Sequence, residues 1–114
     1  MMSAITTHVL DTVRGRPAAG VPVELDVRAD DGWRPIGRGA TDMDGRLRTL
    51  VPESTVLDAG VYRLVFDTAQ YFSGLGMPAF YPRVTVEFEV AAREAPYHVP
   101  LLLSPFGYTT YRGT

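Results

Sequence analysis

From Val21 to Arg28 apolar and polar residues alternate without a break, with Val21, Val23, Leu25 and Val27 on one side and Pro22, Glu24, Asp26 and Arg28 on the other. A period of two turns one set toward a core and the other toward water, so the stretch reads as a half-buried strand. The same pattern returns at Val84, Val86, Phe88 and Val90, set against Arg83, Thr85, Glu87 and Glu89. These two segments commit the chain to sheet, and the remaining segments extend the pattern.

Ala4 to Asp11 reads as a strand in which Ile5, Thr7 and Val9 face one way while Thr6, His8 and Leu10 face the other. Thr12 to Gly20 is a turn region punctuated by Gly15, Pro17 and Gly20. Asp30, Asp31 and Gly32 turn the chain into Trp33 to Thr41, where a proline and two interior glycines suit an edge or bulged strand. Asp42, Met43, Asp44 and Gly45 form the next turn, leading into a strand expected over Arg46 to Val51. The acidic residues of that turn lack both the distal glutamate and the flanking helices of a calcium loop, so a solvated turn is the expectation. Pro52 to Ala59 is a loop and Gly60 to Asp67 a strand. Thr68 to Leu75 is the one segment that reads as a helix, with Thr68 as its cap and Gly74 and Gly76 at its end. Ala91 to Pro96 is a turn, and Tyr97 to Thr114 is a hairpin bent at Ser104, Pro105, Phe106 and Gly107. Seven or eight short strands with one short helix, and no internal repeat, imply an all-β sandwich.

Size and composition narrow the function. At 114 residues the chain reads as a single domain, 1–114, whose core would gain from a partner subunit. A formal charge of −2 supplies no basic patch, so nucleic acid is not an expected partner. With no cysteine, disulfides, thiolate catalysis and cysteine metal sites are all excluded. Met1 to Leu10 has no leader pattern, and no apolar run approaches the roughly 18 residues that span a bilayer. The expectation is a cytoplasmic protein with no membrane partner. Phosphate loops, nucleophile elbows and HExxH helices are absent, and Ser3, Ser54, Ser73 and Ser104 lie in termini, loops or turns without a supporting motif.

Histidine remains as the source of acid–base chemistry. The chain has two, His8 and His98, and each falls on the strand face opposite the valines and leucines expected in the core. His8 shares its face with Thr6 and Leu10, and His98 with Pro100 and Leu102, which describes a partly apolar outer surface suited to an interface. Two unrelated surface histidines and a pair converging on one cleft are both compatible with that parity. If they converge, imidazole can activate water near neutral pH and an arginine can stabilise the oxyanion that develops. A metal held by these two imidazoles would fall short of the three protein ligands usual for catalytic zinc. The tail is unusual too: it finishes on Tyr111, Arg112, Gly113 and Thr114 with no solvating extension, so it reads as fixed in place rather than frayed.

Five segments, THVLDTVRGRPAAGVPVEL, TDMDGRL, YRLVFDTAQYF, FYPRVTVEF and YHVPLLLSPFGYTTYRGT, cover nearly the whole chain and resemble the transthyretin-like family, within it the 5-hydroxyisourate hydrolases. The hormone carriers of that family share the VLDTVRG-like and LLSP segments but lack the histidines and the terminal tetrapeptide. The resemblance implies a transthyretin-like sandwich of two four-stranded sheets with a short helix after the fifth strand, assembled as a homotetramer around a channel. It implies hydrolytic opening of 5-hydroxyisourate to 2-oxo-4-hydroxy-4-carboxy-5-ureidoimidazoline in urate degradation, with neither cofactor nor metal. The residues it assigns to catalysis are His8, Arg46 and His98, with His8, Arg46, Tyr111, Arg112 and Thr114 binding the substrate. Thr114 stands where the family usually has serine, keeping the hydroxyl and adding a methyl group. The competing reading is a binding module that holds a flat ligand in the channel without turning it over.

Overall fold

The computed structural model describes residues 4–91 and 96–114. Two sheets pack face to face. The first contains β1 (Ile5–Asp11), β2 (Arg16–Pro17), β5 (Arg46–Leu47), β8 (Tyr97–Ser104) and β9 (Gly107–Thr110), and the second β3 (Pro22–Ala29), β4 (Gly32–Ala40), β6 (Gly60–Phe66) and β7 (Val84–Val90). Strand order is β2-β1-β8-β9 in one, with β5 also paired to β1, and β4-β3-β6-β7 in the other. One helix, α1 (Thr68–Gly74), follows β6.

The alternation does what its period requires. Ile5, Val9, Leu101 and Leu103 from one sheet and Val23, Leu25, Leu64, Phe66 and Val84 from the other are buried between the layers. Each such side chain contributes about 1.5–3 kcal/mol of burial free energy. Phe72 adds the apolar face of α1 to this core.

Several boundaries differ from the sequence reading. The strand expected over Arg46 to Val51 is two residues long, because the chain leaves the ladder after Leu47 to bury Leu50 and Val51. Its path crosses β4 so closely that a Cβ on Gly37 would overlap the Leu50 carbonyl oxygen. The glycine that marked β4 as irregular is thus the place where the loop crosses. β4 is an edge strand, as expected, and its register to β3 shifts between Leu25 and Asp26, leaving Ile36 as the extra residue of a bulge. Within the expected turn Thr12 to Gly20, Arg16 and Pro17 pair with Asp11 and Leu10. The cap of α1 is Asp67 rather than Thr68: its Oδ1 accepts from Gln70 N at 3.1 Å, and Thr68 is itself buried inside the first turn. Of the turn expected at Ala91 to Pro96, residues 92–95 lie outside the described residues, as do residues 1–3 at the other end.

Candidate active site

β1 and β8 run parallel at the centre of the first sheet, and their register fixes which outward residues are neighbours. His8 stands opposite Arg46 of β5 on one side and Pro100 of β8 on the other. One step along the same face, Thr6 stands opposite His98, and His98 opposite Gly113. Residues directly across a ladder share a face, so Arg46, His8, Thr6 and His98 form one cluster built from three strands. The parity that keeps both histidines out of the core also makes them diagonal neighbours: both are half-buried, while Val9, Val99 and Leu101 on the inner face are buried.

The turn before β5 sets the position of Arg46. Asp42 Oδ1 accepts from the amides of Asp44 at 2.9 Å and Arg46 at 3.0 Å, and Gly45 N donates to Asp42 O at 2.9 Å. The hydrogen bond from the Arg46 amide, the largest influence, holds the Asp42 carboxyl below its ordinary pKa. Gly45 takes φ +76° and is pressed against the Val9 carbonyl oxygen, where a side chain has no room. Its carbonyl in turn accepts from Val9 N at 2.7 Å, which fastens the turn to β1. That fastening places the Asp44 carbonyl 2.9 Å from His8 Nε2. A carbonyl only accepts, so the Nε2 of His8 carries a proton.

His98 is held differently. Its Nδ1 lies 2.8 Å from the Thr6 hydroxyl. Burial lowers its pKa below 6.5, the Arg46 guanidinium and His8 lower it further, and a hydrogen bond to the Thr6 main chain acts the other way. The ring is therefore predominantly neutral at pH 7, the state in which it can accept a proton.

A cavity of about 560 Å³ opens beside this cluster, with Thr6, Arg46, His98, Arg112, Gly113 and Thr114 among its walls. The hairpin register that pairs Leu101 with Thr110 continues past the end of β9 to pair His98 with Gly113, and Gly113 N donates to His98 O at 2.8 Å. A Cβ on Gly113 would come within 2.6 Å of His98 Cδ2 and 3.2 Å of Pro100 Cγ. Only glycine lets the tail lie against the imidazole.

Of the expected site residues, His98, Arg46, Arg112 and Thr114 meet at this cavity. His8 adjoins it through Arg46. Tyr111 lines a separate apolar cleft of about 140 Å³ with Val86, Phe88 and Val99, and is 57% exposed. The Arg112 guanidinium lies 4.5 Å over the Tyr97 ring, a cation–π contact that closes the end of the sandwich. Sequence reasoning missed Thr6. Its position one alternation before His8 signalled the shared face, but the partner strand needed to give it a role became visible only with the β1–β8 register.

Comparison with known proteins gives this geometry its relatives. The model of the HIUase/Transthyretin family matches residues 5–113. The chain is 44% identical over 110 residues to a 5-hydroxyisourate hydrolase of Salmonella typhimurium, covering 96% of this chain and 80% of that protein. It is 43% identical over 113 residues to a 5-hydroxyisourate hydrolase of Deinococcus radiodurans, covering 96% and 95%. Among solved structures, sea bream transthyretin in complex with thyroxine superposes with a TM-score of 0.89 at 36% identity, covering 96% of this chain and 94% of that one. The chain belongs to the HIUase/Transthyretin family.

Proposed function

We propose that the protein is a 5-hydroxyisourate hydrolase of urate degradation, opening the six-membered ring of its substrate with water and no cofactor. The observation that carries this reading is the convergence of His8, Arg46 and His98, from three strands, on one outward face beside a cavity. Neutral His98 takes a proton from water as the oxygen adds to a ring carbonyl. The negative charge then gathers on the carbonyl oxygen, where the Arg46 guanidinium stabilises it. As the tetrahedral centre collapses, the ring C–N bond breaks and the leaving nitrogen takes up a proton. His8 and the protonated His98 both stand on the face from which it can come. Thr114 and the main chain of the tail line the same cavity and suit a flat, polar ring.

A homotetramer belongs to the same proposal. β7 and β9 stand at the open edges of their sheets, and Leu10 and Leu102 are half-buried on the site's own face, a surface that a partner dimer would cover. Sedimentation at micromolar concentration tests it, and a monomer there refutes it. Among the described residues no helix is long and apolar enough to cross a membrane. We also assign the protein to the cytoplasm, which cell fractionation tests. The decisive experiment generates 5-hydroxyisourate in the cuvette with urate oxidase and follows its absorbance with and without the protein. Accelerated decay under turnover conditions supports the hydrolase. Unchanged decay, with ligand retained by the protein, is the behaviour of a carrier.

A further inference from the structure

Thr6 is 2% exposed, yet its strand position turns it to the outward face with both histidines. It stands directly across the ladder from His98, with its hydroxyl 2.8 Å from Nδ1. We propose that Thr6 is a positioning residue that keeps the proton of neutral His98 on Nδ1 and so leaves the Nε2 lone pair to activate water.

A neutral imidazole has one donor nitrogen and one acceptor nitrogen, and the partner of one decides the role of the other. A hydroxyl alone could play either part. The accepting part is assigned to the hydroxyl, 2.8 Å from Nδ1, because that leaves the Nε2 lone pair on the ring edge turned toward the cavity. The other edge of the ring agrees, because Cδ2, the carbon bonded to Nε2, faces Gly113 and the tail that walls the cavity. Nδ1 thus points at β1 and Nε2 away from it. His8 is held in the opposite sense, with its Nε2–H committed to the Asp44 carbonyl. The charged or titratable groups acting on His98 are Arg46 on β5 and His8 on β1, with Arg112 and Thr114 of the tail on the same cavity; the group at hydrogen-bond distance from Nδ1 is the Thr6 hydroxyl.

The kinetic part of this inference rests on the hydrolase reading, whereas the tautomer is a property of the protein alone. Thr6→Val keeps shape and strand preference while deleting the hydroxyl, and Thr6→Ser keeps the hydroxyl. Long-range ¹H–¹⁵N correlation on the full chain reads the His98 tautomer directly, and kcat/KM is followed against pH. The expected result is an Nδ1–H ring in the wild type and a shift toward Nε2–H in Thr6→Val. In that variant kcat falls about tenfold or more, KM changes little, and the acid limb moves to lower pH as an acceptor is lost. Thr6→Ser restores all three. An Nε2–H ring in the wild type overturns the proposal, as does a Thr6→Val protein that keeps full kcat or loses activity equally at every pH. If the wild type does not turn over 5-hydroxyisourate, the hydrolase reading falls and the nitrogen shifts alone decide the role of Thr6.

Discussion

Gly113 stands directly opposite His98 across the C-terminal hairpin, and its amide donates a 2.8 Å hydrogen bond to the His98 carbonyl. The absence of a side chain at Gly113 is what leaves the imidazole its position, since a Cβ would meet Cδ2 at 2.6 Å. Gly113→Ala must therefore rotate the ring or lift the tail. We expect kcat/KM to fall at least about tenfold while stability falls by about 1 kcal/mol, the centre of the range for single substitutions. Steady-state kinetics and thermal unfolding on the same preparation check this. Full activity in Gly113→Ala would show that the tail does not fix the ring.

His98→Asn and His8→Asn should each lower turnover on the order of 10²-fold, the scale of losing a general acid or base, with circular dichroism unchanged. The wild-type pH profile should also carry an acid limb below 6.5, because burial, Arg46 and His8 depress His98 from that value. The same shift has a stability consequence. The unfolded chain binds this proton more readily than the folded one, so stability declines as pH falls through 6.5 and toward the folded value. Urea midpoints across that window, compared with His98→Asn, isolate the effect. A wild-type limb above 6.5 would count against His98 as the base.

Period-two alternation made the core legible at Val21, Val23 and Leu25, which are buried, and failed at the end of the same strand, where Asp26 is buried against Arg63 and Val27 only half-buried. The same parity set His8 and His98 outside the core. What alternation does not report is pairing between strands distant in sequence. Thr6 and His98 are 92 positions apart, and their contact depends on β1 lying parallel to β8. The early end of β5 was hidden for a related reason: Leu47 and Val51 fall on one strand face, but the adjacent Leu50 and Val51 are both buried, which a strand does not allow and a loop crossing Gly37 does. Arg112, which the family resemblance assigns to the substrate, lines the cavity and also lies over Tyr97, a second contact that only the folded hairpin reveals.

The Tyr71 hydroxyl donates to Asp11 Oδ2 at 2.7 Å, joining α1 to the end of β1. Asp11 is 1% exposed, and its other oxygen accepts from Val13 N at 3.0 Å and Arg14 N at 2.9 Å. Tyr71→Phe removes one partner of a buried carboxylate and should cost about 1–3 kcal/mol, with kcat nearly unchanged because the contact is remote from the cavity. Burial, then the hydrogen bond to Asp11, raises the Tyr71 pKa from 10.0 to about 12. A raised pKa contributes stability that is complete below about pH 10 and is lost as pH climbs toward about 12. Urea titrations should show this alkaline loss in the wild type and a smaller one in Tyr71→Phe. Identical midpoints for the two proteins at neutral pH would refute the prediction.

Deleting Tyr111 to Thr114 separates the two roles of the tail. The hairpin ladder proper ends at Thr110, and the core side chains Leu101 and Leu103 keep their β9 partners Thr110 and Tyr108, so the sandwich should still fold. Lost with the tail are one wall of the cavity, the Gly113 hydrogen bond and the Arg112 cover over Tyr97, which is 4% exposed. A hydrogen bond and a cation–π contact together are worth about 1–3 kcal/mol. Activity, by contrast, should collapse, because the substrate would face solvent where Gly113 and Thr114 stand. Arg112→Ala provides the control: it should reproduce most of the stability loss while retaining more activity than the deletion, since its guanidinium lies over Tyr97. If instead Arg112→Ala abolishes turnover at unchanged stability, the guanidinium leaves Tyr97 to hold the substrate, as the family resemblance implied. A deletion protein with wild-type kcat/KM would remove the tail from the site altogether.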